Sequence, residues 1–302
     1  MAEKKHTVVG LGELLWDMFP SGKKLGGAPA NFAYIASLLG ENGIPVSRVG
    51  HDGLGDELVE RLAAGGLPTN FIQNDADHPT GTVKVEVDSA GQPRFEISTG
   101  VAWDFIEWTP QLANVARECD AVCFGSLAQR SPQSCSSIRN FLAATRPEAV
   151  RVFDVNLRQH FYDADVISDS LKSATIVKMN HEELPRIMQL FALEHHDEQS
   201  SSQRLAELFH LRLVCITRGE AGSLLVTPGG SHSHAGFRVH VADTVGAGDA
   251  FTAALVHEYL RGSSLAAMND AANRMGAWVA SQIGGMPAVG RGSLAQSLAS
   301  IA

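Results

Sequence analysis

A chain of 302 residues, 44% of them hydrophobic, is long enough to bury a large core in one large domain or two medium ones. Its formal charge of −9 and sequence pI near 5.7, with no Lys/Arg-rich run, argue against a nucleic-acid or anionic-membrane surface, so an anionic ligand has to be held locally by helix amides, a cation or a few arginines. No apolar run reaches the length of a membrane span, and Met1 to His6 lack a signal-peptide core; the expectation is a cytoplasmic protein. Its four cysteines, without Cys-x-x-Cys spacing, read as reduced core thiols.

In chain order, Val8-Val9-Gly10-Leu11 reads as a buried strand, and after Gly12 a second short strand, Glu13 to Phe19, stands apart from it. Asp17 in that strand is either a solvated aspartate or a carboxylate able to accept two hydroxyls of a polyol at once. Gly26-Gly27-Ala28-Pro29-Ala30-Asn31 leads into a helix with Phe32, Ala36 and Leu39 on one face, Pro29 in its first turn and Gly40 at its stop. A plain helix start explains this segment; so does a ligand loop, in which Gly27 lets backbone come close and Asn31 both donates and accepts hydrogen bonds. Val83, Val85 and Val87 alternate with charged residues, turn at Ala90-Gly91-Gln92 and continue as Arg94 to Ile97, the pattern of a half-buried antiparallel hairpin. This hairpin either extends the edge of the main sheet or joins the Glu13 to Phe19 strand in a small β layer over a site. Trp103 and Trp108 belong to packing.

From about residue 110, apolar strands alternate with helices in the rhythm of a parallel α/β sheet: Ala121 to Gly125, Val150 to Val155, Thr175 to Met179 and Leu213 to Thr217. Asp154, Asn156 and Arg158 follow at period two at a strand end, where open α/β sheets place ligand contacts; an Asp154–Arg158 ion pair is the competing reading. Asn180-His181-Glu182-Glu183 is close to a capping box, and Glu194 to Glu198, followed by Gln199 and three serines, reads as a polar surface loop. The spaced glycines of Thr217-Arg218-Gly219-Glu220-Ala221-Gly222 suit a turn, with or without a nucleotide against it, and His232 and His234 read as hairpin residues. Arg238 to Val241 alternate as a short strand would. After them, Asp243-Thr244-Val245-Gly246-Ala247-Gly248-Asp249-Ala250-Phe251 forms a glycine loop into a helix stopped by Gly262. The first amides of such a helix attract an anion, and Asp249 is either its cap or a base beside that anion, with a low pKa expected at a helix start.

The run Asp243 to Phe251 resembles the C-terminal signature of the ribokinase-like (PfkB) sugar kinases. Gly26 to Asn31 resembles their first signature in its fructokinase form, and Asp-x-Asn-x-Arg at residues 154 to 158 is similar to the same subgroup apart from Val155, where proline is usual. The resemblance runs from Gly10 to Gly285 and implies one ribokinase-like α/β domain over residues 1–302, a mostly parallel sheet flanked by helices, with a small β lid from about 13–23 and 80–100. It implies transfer of the γ-phosphoryl group of ATP to a primary hydroxyl, O6 of fructose first, with ribose, a keto-deoxy sugar acid or a nucleoside as alternatives. By the same resemblance Asp249 is the catalytic base and Gly246, Ala247 and Gly248 form the anion hole; Asp17, Gly27, Asn31, Phe95 and Arg158 hold the sugar. Asn180, Thr217, Arg218, Gly219, Gly222 and Asn273 face the nucleotide, and Glu183 orients magnesium through water. Carbonyls near Asp243, Val245 and Gly284 are candidate ligands of a potassium ion, and two copies can pair through the lid. The rival of another class is a catalytically silent sugar-binding regulator on the same fold, whose mark would be a lost base or a degraded anion hole.

Overall fold

The computed structural model describes residues 4–20, 22–87, 93–289 and 291–301. Its strands, in chain order, are β1 Thr7–Leu11, β2 Leu15–Phe19, β3 Gly22–Gly26, β4 Asn42–Gly50, β5 Ile72–Asp75, β6 Gly81–Val87, β7 Pro93–Ile97, β8 Ala121–Gly125, β9 Val150–Asp154, β10 Ile176–Asn180, β11 Leu213–Thr217, β12 Ser223–Thr227 and β13 Gly230–His234. Nine of them form one sheet in the order β13-β12-β11-β10-β9-β8-β1-β4-β5, parallel from β5 through β11 and antiparallel at β12 and β13. The four strand candidates after residue 110 fall within a residue of β8, β9, β10 and β11.

Alternation explains why these strands sit still. Val8, Ala121, Cys123, Val150 and Val152 enter the hydrophobic layer on one face, while Val9, Val122, Phe124 and Phe153 enter the layer on the other. Both faces of a parallel sheet are covered by helices, so its strands are apolar at most positions rather than at every second one. The helix Ala247–Leu260 carries this furthest: Ala250 to Val256 are all buried, and it packs between the helices Ala28–Leu38 and Leu265–Ala280. Among the described residues no helix is long and apolar enough to cross a membrane.

A second sheet has four strands in the order β3-β2-β6-β7, with β2 parallel to β6 and the outer pairs antiparallel. The hairpin therefore joins the strand after Gly12 instead of extending the main sheet. The tip at Ala90-Gly91-Gln92 lies outside the described residues. Trp16 ties this sheet down, donating its indole N–H to the Leu54 carbonyl at 2.9 Å.

Two sequence expectations fail. Arg238 to Val241 form no strand, because the chain leaves the edge of β13 and runs along a cleft that Arg238, Val239 and Val241 line, after which the Ala242 and Asp243 amides donate to the Ala280 carbonyl. The serines after Gln199 are helical, since Asp197 caps the helix Glu198–Phe209 by accepting from the Ser200 amide, and Ser201 and Ser202 are buried in it. Trp103 is fully buried, and the four cysteines are free and buried.

Candidate active site

The strand order sets the site's position. From β1 the chain builds outward through β4 and β5 on one side and through β8 to β11 on the other, so the order reverses at the β1–β8 pair. Ligands of open α/β sheets bind beyond the carboxyl ends of the strands at such a switch point. A cleft of about 1380 Å³ lies there, walled by Glu13 after β1, Asn156 and Arg158 after β9, Asn180 at the end of β10 and Thr217 at the end of β11. Leu15, Asp17, Val83 and Ile97 of the second sheet form the facing wall.

The run Val245 to Asp249 enters this cleft at the start of the helix Ala247–Leu260. Gly246 caps the helix with φ of 78°, and a Cβ there would stand 2.4 Å from the Gly285 Cα, so only glycine fits on both counts. No side chain caps the helix, which leaves first-turn amides and the positive end of the dipole toward the cleft. The Ala247 amide is the exception, since it makes a long 3.3 Å bond to the Thr244 carbonyl.

Asp249 accepts from the Asn31 amide, Nδ2 to Oδ2, at 2.8 Å. Asn31 is 2% exposed and its Oδ1 has no hydrogen-bond partner, a buried acceptor in the residue that lines the cleft. The low pKa expected of Asp249 is overturned: burial, and next the charge of Asp154, push it up to about 6, more than Asn31, Lys178 and Arg158 lower it. That value lies closer to working pH, which suits a base.

Asp154 is paired with Lys178 and not with Arg158. Its carboxylate takes both the 3.1 and 3.0 Å contacts from the Lys178 ammonium, because Asp154 on β9 and Lys178 on β10 are direct register partners. Lys178 went unremarked in the sequence, where it lies inside an otherwise apolar strand; a lone charge in a fully buried run is the signal that marks it. Against the cost of burial, the carboxylates of Asp154, Glu183 and Asp249 raise the lysine's pKa, so it stays charged. Its Nζ is 3.1 Å from where a Cβ on Gly248 would stand, which places a buried cation against the anion loop.

On the second-sheet side, burial first raises the Asp17 pKa to about 6, with Arg158 and Lys24 opposing. Gly27 has φ of 119°, and a Cβ there would meet the Glu13 carbonyl oxygen at 2.5 Å, so the loop before Asn31 is packed directly on the strand-end backbone. Arg158 is exposed in the cleft wall. Phe95 lies in β7, but its side chain is outside the described residues.

At the far end Asn180, Thr217, Gly219, Gly222 and Asn273 all line the cleft, Asn273 anchored on Ser223 and Asn269. Arg218 is turned aside, paired with Glu198 at 2.6 Å and donating to Ser233. Glu183 is buried: its Oε1 accepts from the Leu157 amide and its Oε2 from the Asn180 amide, while Asn180 Oδ1 accepts from the Glu183 amide. The capping box is real, and Glu183 fixes the ends of β9 and β10 against each other. Asp243 gathers the amides of Val245 at 3.0 Å and Gly284 at 3.2 Å, and Lys24 of β3 reaches it at 2.8 Å.

The layout suits group transfer, with polar side chains on one wall of the cleft and first-turn amides of a helix on the other. The chain belongs to the pfkB family of carbohydrate kinases, whose model matches residues 13–289, and its fold is ribokinase-like. It is 32% identical over 261 residues to a fructokinase of Klebsiella pneumoniae, covering 82% of each chain. A sugar kinase of Pyrococcus horikoshii solved in complex with ATP superposes with a TM-score of 0.81 at 27% identity, covering 97% of this chain and 98% of that one. An aminoimidazole riboside kinase of Salmonella enterica, solved with aminoimidazole riboside and an ATP analog, gives a TM-score of 0.80 at 25% identity, with 97% and 99% covered.

Proposed function

We propose that this carbohydrate kinase transfers the γ-phosphoryl group of ATP to O6 of fructose. The observation that carries the reading is Asp249, held by Asn31 in the cleft wall directly beside an uncapped helix start. Asp17, Gly27, Asn31 and Arg158, with Phe95, hold the sugar so that its primary hydroxyl meets Asp249. The hydroxyl proton goes to Asp249, the sugar oxygen bonds phosphorus, and the bond to the β-phosphate oxygen breaks with its electron pair leaving on ADP. Gly246, Ala247 and Gly248 carry the anion loop, in which the Gly248 amide and the nearby Lys178 ammonium oppose the charge of the transferring group. The four-stranded sheet acts as the lid that keeps water from competing.

ATP lies along Asn180, Thr217, Gly219, Gly222 and Asn273, and magnesium enters with it as part of the substrate. The Glu183 oxygens already accept backbone amides, so its part toward magnesium runs through water and through holding Asn180 in place. Arg218 serves the phosphates only after leaving Glu198. A potassium ion at the carbonyls near Asp243, Val245 and Gly284 belongs to the proposal; because Lys24 already faces the Asp243 carboxylate, carbonyls rather than the carboxylate would hold it. Equal rates in potassium and in a bulky organic cation remove it.

Fructose is favoured by the Klebsiella relative, and the Salmonella neighbour makes a nucleoside the leading alternative. ADP release measured over fructose, ribose, a keto-deoxy sugar acid and nucleosides decides: the highest kcat/KM on fructose supports the reading, and a higher value on any other acceptor replaces it. Asp249→Asn keeps sugar and ATP binding and loses turnover by about 10³-fold. Wild-type turnover in that variant rules out Asp249 as the base, and sugar binding without turnover in the wild type favours the silent regulator. Pairing of two copies through the four-stranded sheet is part of the same reading, and sedimentation at twice the 32.2 kDa mass checks it.

A further inference from the structure

Behind Asp249 the site contains a second, much smaller space of about 10 Å³, room for about one water molecule. Glu13, Asp154, Asp249 and Thr252 line it, and Glu13 and Asp249 also line the cleft. Glu13 is 4% exposed and its Oε2 has no hydrogen-bond partner, an arrangement that costs stability and persists where a group has work to do. Asp154 cannot play the same part, because both its oxygens are taken by Lys178 and one also by Thr252. Among the described residues no group of three such side chains is placed to hold a metal ion, so the space suits water and a proton.

We propose that Glu13 is the second proton-holding group of the transfer, receiving through this cavity the proton that Asp249 takes from the acceptor hydroxyl. The step rests on Asp249 being the base. The Asp249 O–H bond breaks as a cavity water takes that proton and gives one of its own to Glu13 Oε2. Asp249 is thereby an ionised base again, and Glu13 returns the proton to solvent through the cleft as products leave. Asp249 on the helix Ala247–Leu260, Asp154 and Arg158 on and after β9, Lys178 on β10 and the Cys123 thiol on β8 are the ionisable groups around it. Burial holds the thiol neutral, far above its ordinary value. Burial also raises Glu13 to about 7, with the charges of Asp249 and Asp154 adding to it and Arg158 opposing. Two carboxyls on one small cavity take up a single proton more readily than each would alone.

The test is kcat against pH for the wild type and Glu13→Gln. The expected wild-type profile shows two ionisations on its acid side, since Glu13 must be ionised to accept the proton and Asp249 to take it. In Glu13→Gln the upper ionisation disappears, the remaining one moves to lower pH, and the plateau falls about tenfold with both KM values within about twofold of wild type. An unchanged profile and plateau overturn the relay, and so does a rise in sugar KM at unchanged kcat, which makes Glu13 a sugar ligand. If the Gln variant fails to fold, Thr252→Val, which removes the one hydroxyl facing the cavity among the described residues and leaves its carboxylates in place, carries the test: loss of the upper ionisation supports the relay and a wild-type profile overturns it. Asp249→Asn separates the two readings, because inactivity there with an unaltered Glu13→Gln profile removes the relay alone.

Discussion

Asp249 shows how a single residue sets both rate and stability. Its folded pKa of about 6 stands above the unfolded value of 3.8, so kcat/KM falls as pH drops through about 6 and the base becomes protonated. For stability the sign is opposite to that of an ordinary carboxylate: the folded chain binds the proton more tightly, so this group's contribution is complete below 3.8 and lost as pH rises through 6. Asp249→Asn, which keeps the bond from Asn31 and never ionises, is therefore more stable than wild type at pH 8, by at most about 3 kcal/mol. Parallel thermal melts at pH 5 and pH 8 check this; the gap between the two proteins has to widen at the higher pH. Lys178 makes the complementary case. Lys178→Met strands the Asp154 carboxylate in the interior and lowers stability by roughly 3–5 kcal/mol, and adding Asp154→Asn restores part of it. The melting temperatures of the two variants measure the coupling.

At the level of elements, what was legible in the sequence is what local chemistry determines. β8 to β11 stood out because strands covered on both faces are mostly apolar along their length, and the glycine loop before the helix Ala247–Leu260 stood out because Gly246 has a backbone few other residues adopt. What stayed hidden depends on register and on neighbours far along the chain. Nothing near Lys178 in the sequence says that Asp154 lies opposite it, and nothing near Arg218 announces Glu198. Arg238 to Val241 alternate correctly for a strand yet line the cleft instead of pairing with the edge at β13, which periodicity alone does not reveal. The elevated pKa of Asp249 was missed for the same reason, since burial and Asp154 outweigh the helix start. The glycine loop gives a test of its own: Gly246→Ala drives a methyl into Gly285 and shifts the anion loop, so kcat falls about 100-fold while sugar affinity is kept. Calorimetric sugar titration beside the rate assay separates the two effects.

For the whole molecule, the small sheet is joined to the rest by polar links that include Lys24 to Asp243, Lys23 to Glu57 and Trp16 to Leu54, and by Leu15, Val83 and Ile97, which pack into the core. Hydrogen exchange is the measurement that detects a closing motion of the small sheet over bound sugar. Sugar with a non-hydrolysable ATP analogue is expected to slow amide exchange in β2 and β6 while leaving β9 and β10, already buried between helix layers, unchanged. Equal exchange in β2 and β6 with and without ligands means that the sheet does not close.

The small sheet is assembled from two separate excursions of the chain, β2–β3 and β6–β7, and among the described residues the parallel β2–β6 pair is the seam between them. Neither piece is a transplantable cassette. A chimera meant to exchange acceptor preference with a relative has to carry residues 15–26 and 81–97 from the same donor, because grafting one alone sets a foreign strand against a native one at that seam.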